Sequence, residues 1–340
     1  MSLDTRKFWL GHLALGSGAT LLDAELCYCT FGKLNADRSN VVLLPTYYTG
    51  SHLDYAHLIG VGRALDPARW FIVVPNMFGN GWSSSPSRKH SSQAGPDFPH
   101  VDVLDNVLAQ ERLLREQFGI ESIALVAGWS MGALQTYQWA SSFPGRVKAI
   151  LPWCGAARAS AHNRIFLAGV KAALVADGGF CEGRYVSPPT QGLKAFGRVY
   201  AGWAYSQAFF REGLQQELGC DSVEALLRDW EEDHLCWDAN DLLAMLATWE
   251  CADISQNNSF DCDLVRCLES ISARAIVMPC RTDLYFPPED NEIEVNHMPN
   301  AELLIYHSAL GHCVASPGND PKFMRFLDSA ISELLETTNS

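Results

Sequence analysis

Ser122-Ile-Ala-Leu-Val-Ala-Gly128-Trp129-Ser130-Met131-Gly132 is the stretch on which the reading of this chain turns. Its first half is a short apolar run rich in branched residues, the pattern of a strand buried on both faces. Its second half is G-x-S-x-G. The residues that follow (Ala133, Leu134, Tyr137, Trp139, Ala140) have helical spacing. A strand that turns directly into a helix holds the residue at the turn in a strained conformation. Small residues on either side let neighbouring backbone pass without clash. The strain lifts the Ser130 hydroxyl clear of the sheet, and the N–H of Met131 lies at a helix N-terminus, where a developing oxyanion is favoured. G-x-S-x-G alone is weak evidence. A strand before it and a helix after it are the context the motif requires.

Outward from this stretch, similar runs recur at Val41–Pro45, Trp70–Pro75, Lys148–Trp153, Ala275–Pro279 and Glu302–His307. Helical patterns lie between them, the clearest from Val101 to Phe118. Alternating strands and helices predict an α/β fold with a mostly parallel central sheet flanked by helices. The alternation lapses between about 156 and 268, where helical patterns cover Gln191–Arg211, Ser222–Asp233 and Asn240–Ala252. The expected organisation is a core of 1–155 and 269–340 with an inserted helical lid over 156–268.

A serine hydroxyl needs a base, and the base needs an orienting acid. In sheets where G-x-S-x-G forms such a strand-to-helix turn, these follow in the order Ser, Asp or Glu, His. Asp283 lies just past the run Ala275–Pro279, and His312 lies in the loop after Glu302–His307. Asp290 is too far from its strand end, and His297 and His307 come too early. The remaining histidines lie in the lid or out of order. The second oxyanion donor is expected in the loop Thr46-Tyr-Tyr-Thr-Gly50, with the N–H of Tyr48 the first choice and that of Tyr47 the second. Both tyrosines are also candidates for lining the pocket.

Composition narrows the functions. Hydrophobic residues make up 48% of the 340 positions and charged residues 19%, enough for a sizeable core. A net charge of −14 disfavours nucleic-acid and anionic-membrane partners. No stretch reaches the ~18 apolar residues of a membrane span. The N-terminal ten residues lack the pattern of a signal peptide, so a cytoplasmic enzyme is expected. The 11 cysteines are scattered without paired C-x-x-C spacing, which predicts reduced thiols rather than a metal site.

Several of these segments together resemble the homoserine O-acetyltransferase group of the α/β-hydrolase superfamily. They are Leu43–Gly50, Gly95-Pro-Asp-Phe-Pro99, the elbow Gly128–Ala140, Thr282-Asp-Leu-Tyr-Phe-Pro-Pro-Glu289 and, in the lid, Trp237–Asp241 with Ala252-Asp253. The resemblance runs over nearly the whole chain. It implies a ping-pong mechanism in which the serine takes an acyl group, with acyl-CoA as co-substrate and no bound cofactor, and passes it to an alcohol. It also implies a homodimer. By position it carries over Arg198 as ligand of the acceptor's carboxylate and Tyr205 as a cavity residue. One position departs. The family has an aspartate after its histidine to bind the amino group of homoserine, and this chain has Cys313. A thiol cannot supply that charge-assisted bond. The sequence therefore favours acyl transfer to a small alcohol other than homoserine. An ester or thioester hydrolase is the alternative, and a small-molecule receptor with a residual triad is the third reading.

Overall fold

The computed structural model describes residues 4–88 and 92–337. Its centre is one eight-stranded sheet: β1 (Arg6–Ala14), β2 (Thr20–Phe31), β3 (Val41–Leu43), β4 (Phe71–Pro75), β5 (Ile123–Trp129), β6 (Val147–Trp153), β7 (Arg274–Val277) and β8 (Ala301–Leu303). The spatial order is β1-β2-β4-β3-β5-β6-β7-β8. The β1–β2 and β2–β4 pairs are antiparallel, and every pairing from β4 through β3 to β8 is parallel. Every residue of β5 is buried, as the apolar run 122–127 predicts.

The six expected strands are present, shorter at the β3 and β8 ends than their apolar runs. Ladder-like bonds continue past both: Thr46 N–H donates to Pro75 O at 3.3 Å, and Tyr306 N–H to Pro279 O at 2.9 Å. The antiparallel pair β1 and β2 is additional. Most of β1 is exposed, so its side chains carry little of the apolar signal that marks the buried strands.

The core helices are α1 (Val103–Arg112) and α2 (Met131–Ser142). Asp102 caps α1, its carboxylate accepting from Asp105 N–H while the Asp105 carboxylate accepts from Asp102 N–H. Between β6 and β7 the chain runs through α3 (Ala161–Val175), α4 (Thr190–Ala204), α5 (Gln207–Glu212), α6 (Val223–Leu235), α7 (Ala239–Glu250) and α8 (Leu264–Glu269). Where this helical block leaves and rejoins the core, Arg158 pairs with Asp253 at 2.6 Å. Backbone bonds from Ala159 to Ala252 and from Ile254 to Ala157 close the same neck. The helical run expected over 191–211 is two helices, broken at Tyr205–Ser206, where Ser206 caps α5 through Phe209 N–H. After β7, α9 (Pro288–His297) and α10 (Pro321–Thr337) complete the fold. Among the described residues, no helix is long and apolar enough to cross a membrane.

Candidate active site

Ser130 sits between β5 and α2 with φ 56° and ψ −120°, a strained geometry for any residue but glycine. The flanking glycines are required by contact. A Cβ on Gly128 would lie 2.4 Å from Gly132 backbone, and one on Gly132 would lie 2.5 Å from Pro45 O. Ser130 is buried, yet it lines a cavity of about 470 Å³ between the sheet and the helical block.

His312 opens onto the same cavity. Its Nδ1 bonds Asp283 Oδ2 at 2.7 Å. The other Asp283 oxygen accepts N–H groups of Tyr285 (2.8 Å) and Phe286 (3.2 Å), so the carboxylate cannot swing away from the ring. The imidazole stacks on Trp129 at 5.3 Å and meets the edge of Tyr285 at 4.7 Å. Before it, Gly311 has φ +62°, and a Cβ there would strike Ala204 O at 2.8 Å. Thr282 Oγ1 donates to Ser308 O at 2.7 Å, tying the Asp283 loop to the His312 loop. The structure thus joins Asp283 to His312 and brings Ser130 and His312 to one cavity, three positions far apart in sequence.

The backbone N–H groups of Met131, Tyr47 and Tyr48 have no acceptor among the described residues. Two buried side chains tie the segments that carry them. The Tyr55 hydroxyl donates to Pro45 O (3.1 Å) and accepts from Trp129 N–H (3.0 Å). Gln135 Nε2 donates to Thr46 O (2.7 Å) and Met131 O (3.2 Å). Its Oε1 accepts from Gln110 at 2.6 Å, which fixes which way the amide points. Sequence reasoning missed both. Gln135 lies in the segment that resembles the family elbow, and that was the signal available.

Tyr47, Tyr48, Tyr205 and Cys313 all line the cavity. Burial pushes the Cys313 thiol up to about 12, so it stays neutral. Burial also raises Tyr47 and Tyr48 well above the ordinary phenol value. Arg198 is the exception, and the sequence expectation for it is corrected. It does not line the cavity. On α4 it pairs with Glu231 and Glu224 of α6, an ion pair between two helices of the block. The cavity also contains residues the sequence did not single out, among them Asp54, Tyr200, Asp229, Trp230 and Asp233.

Residues 40–162 match the family model for the alpha/beta hydrolase fold. An ethyl acetate hydrolase of Pseudomonas veronii is 37% identical over 332 residues, covering 96% of this chain and 94% of that protein. A homoserine O-succinyltransferase of Methylibium petroleiphilum is 33% identical, covering 82% of this chain and 79% of that protein. The chain belongs to the homoserine O-acetyltransferase-like family of the α/β-hydrolase superfamily. Among solved structures, the acetylester hydrolase from Corynebacterium glutamicum superposes with a TM-score of 0.94 at 34% identity, covering 98% of this chain and 96% of that one. This member of the family is therefore an enzyme on a scaffold shared by ester hydrolases and acyltransferases. The residue after His312 is Cys313, held neutral by burial.

Proposed function

We propose that this enzyme hydrolyses esters of short acyl groups, acetyl foremost, through an acyl-enzyme on Ser130. His312 Nε2 takes the proton of the Ser130 hydroxyl as Oγ attacks the ester carbonyl. The N–H groups of Met131 and Tyr48 stabilise the resulting oxyanion. Collapse breaks the bond to the alcohol, which leaves with the proton from His312. Water then attacks the acyl-serine with His312 again as base, releasing the acid and restoring the hydroxyl. Throughout, Asp283 holds the ring in the tautomer that leaves Nε2 free to accept.

The observation that carries this reading is the Asp283–His312 pair at 2.7 Å, facing the same cavity as a strained serine. The choice of water over an alcohol is supported by the named relatives. An ethyl acetate hydrolase and an acetylester hydrolase share nearly the full length of the chain. It is also supported by Arg198, whose guanidinium is engaged by two glutamates instead of facing the cavity. Acyl transfer to an alcohol is the second reading, favoured by the homoserine O-succinyltransferase relative.

Partitioning separates the two. With an activated acetyl ester and a panel of added alcohols, the hydrolase reading expects acetate as the main product at all moderate alcohol concentrations. Predominant transfer to one alcohol at low concentration would overturn it in favour of the transferase.

A further inference from the structure

The cavity that holds Ser130 and His312 has an uneven charge. Among the described residues its lining contains no lysine or arginine, while three carboxylates reach it: Asp54 from the core, and Asp229 and Asp233 from α6. Asp229 and Asp233 are four positions apart, so they share one face of the helix, with Trp230 between them also on the cavity. Two nearby cations of the block, Arg198 and Lys194, both pair with Glu231, and neither they nor Arg228 of α6 line the cavity. The one lining histidine besides His312, His234, donates its Nδ1–H to Trp230 O at 2.8 Å with Asp233 Oδ2 3.5 Å away, and burial lowers its pKa, which favours the neutral ring.

Much of the remaining wall is aromatic, with Leu218, Leu226, Pro317 and the neutral polar Thr49, Ser316 and Asn319 among the rest. Tyr200 stacks on Tyr48 at 5.6 Å and on Trp230 at 5.6 Å, and the Tyr205 ring stands edge-on to Trp230 at 6.0 Å. Ring faces attract cations through the quadrupole and accept neutral alkyl groups, but they offer an anion nothing. Aromatic walls closed by carboxylates are a surface for ammonium or alkyl groups.

We propose that this cavity selects esters by the charge of their alcohol half, taking cationic amino-alcohol esters best, neutral ones next and anionic ones poorly. The proposal rests on the hydrolase reading above. It names Asp229 and Asp233 as specificity-determining residues. It also makes acyl-CoA, a polyanion, a poor donor for this site.

The test uses three acetate esters of similar size and the full-length enzyme. They are the choline ester, its neutral isostere 3,3-dimethylbutyl acetate, and the acetate of a hydroxycarboxylate. Each kcat/KM is divided by the ester's own hydroxide-catalysed rate. The expected order is cation over neutral by roughly tenfold and neutral over anion by roughly tenfold, both gaps narrowing with added salt. In Asp229→Asn/Asp233→Asn both ratios fall toward one. Both residues line the cavity while remaining solvent-exposed, so the substitutions leave the packed side of α6 untouched, and the salt series on the wild type tests the same point without any substitution. Hydrolysis of the neutral ester with all three rates within twofold, an anion preference, or ratios unmoved by salt or by the double variant would each overturn the charge inference alone. Failure to hydrolyse any of the three would overturn the hydrolase reading and this inference together.

Discussion

The floor and the roof of the cavity are built in different ways. On the floor, the groups that face the reacting atoms are fixed by backbone. The Ser130 turn is forced by two glycines that admit no side chain, the Asp283 carboxylate is held by two N–H groups, and His312 follows a glycine wedged against Ala204 O. On the roof, α4 and α6 present side chains, and neighbouring positions do unrelated work. Arg198 braces α4 to α6, while Tyr200, half a turn on, lines the cavity. The floor therefore sets the chemistry and tolerates almost no change. The roof sets what is admitted and can be altered residue by residue.

If that contrast holds, substitutions in the floor should have the largest effects. Ser130→Ala should lower kcat by about 10⁴-fold or more, and Asp283→Asn by about 10³–10⁴-fold with KM little changed, because the ring loses its tautomer and not its place. Steady-state kinetics on an activated acetyl ester would show it. A Ser130→Ala enzyme with a tenth of normal activity would break the comparison at its base.

Gly132→Ala tests the turn without touching a reacting group. The added methyl would sit 2.5 Å from Pro45 O and 2.9 Å from the Tyr55 hydroxyl. The strand end must move, and the Tyr48 loop moves with it. The expected result is a kcat loss of about 10–100-fold with a stability cost of roughly 1–3 kcal/mol. Wild-type kcat in this variant would mean that the loop's position does not matter to the reaction.

A third test lies beneath the floor. Glu294 is fully buried, bonded to the Tyr137 hydroxyl of α2, to Ala157 N–H and to Asn291, and burial raises its pKa to about 7. The folded state holds this proton up to about pH 7, whereas the unfolded chain releases it near the ordinary 4.5. Folding therefore binds a proton in that interval. Stability from this group is complete below about 4.5 and is lost as pH rises through 7, by roughly 3 kcal/mol in all. Glu294→Gln should flatten that part of the Tm-versus-pH curve. An unchanged slope between pH 5 and 7.5 would contradict the assignment.

The smallest effect is expected in the roof. Arg198→Gln should change kcat/KM for a neutral acetyl ester by less than twofold, since the side chain spans two helices away from the cavity. A large rise in KM would show that Arg198 reaches the substrate after all, and would blur the division between brace and lining.

This division also explains what could be read from the sequence. The elbow was legible because strand, turn and helix are adjacent in the chain and because glycine is the residue that such a close approach demands. Asp283 and His312 were legible as residues just beyond strand ends, in a fixed order. Strands β1 and β2 were not, because an edge pair with one exposed member lacks the apolar run that marks a buried strand. In the helical block, helical spacing predicted helices but not which side of α4 meets the cavity. Position alone favoured Arg198, and the packing of α4 against α6 turned it to Glu224 and Glu231 instead. Helical spacing puts Asp229 and Asp233 on one face of α6, but only the fold shows that both line the cavity that holds Ser130.

The central claim is that the Ser130 hydroxyl carries the acyl group and that His312 controls both its arrival and its departure. Intact-mass and peptide analysis of enzyme mixed with an activated acetyl ester and quenched within one turnover tests it most directly. The account predicts a single acetyl group on the peptide containing Ser130, no such group in Ser130→Ala, and little in His312→Ala over the same time. Steady ester hydrolysis with no acyl group ever found on Ser130, or with the group on another residue, would contradict it.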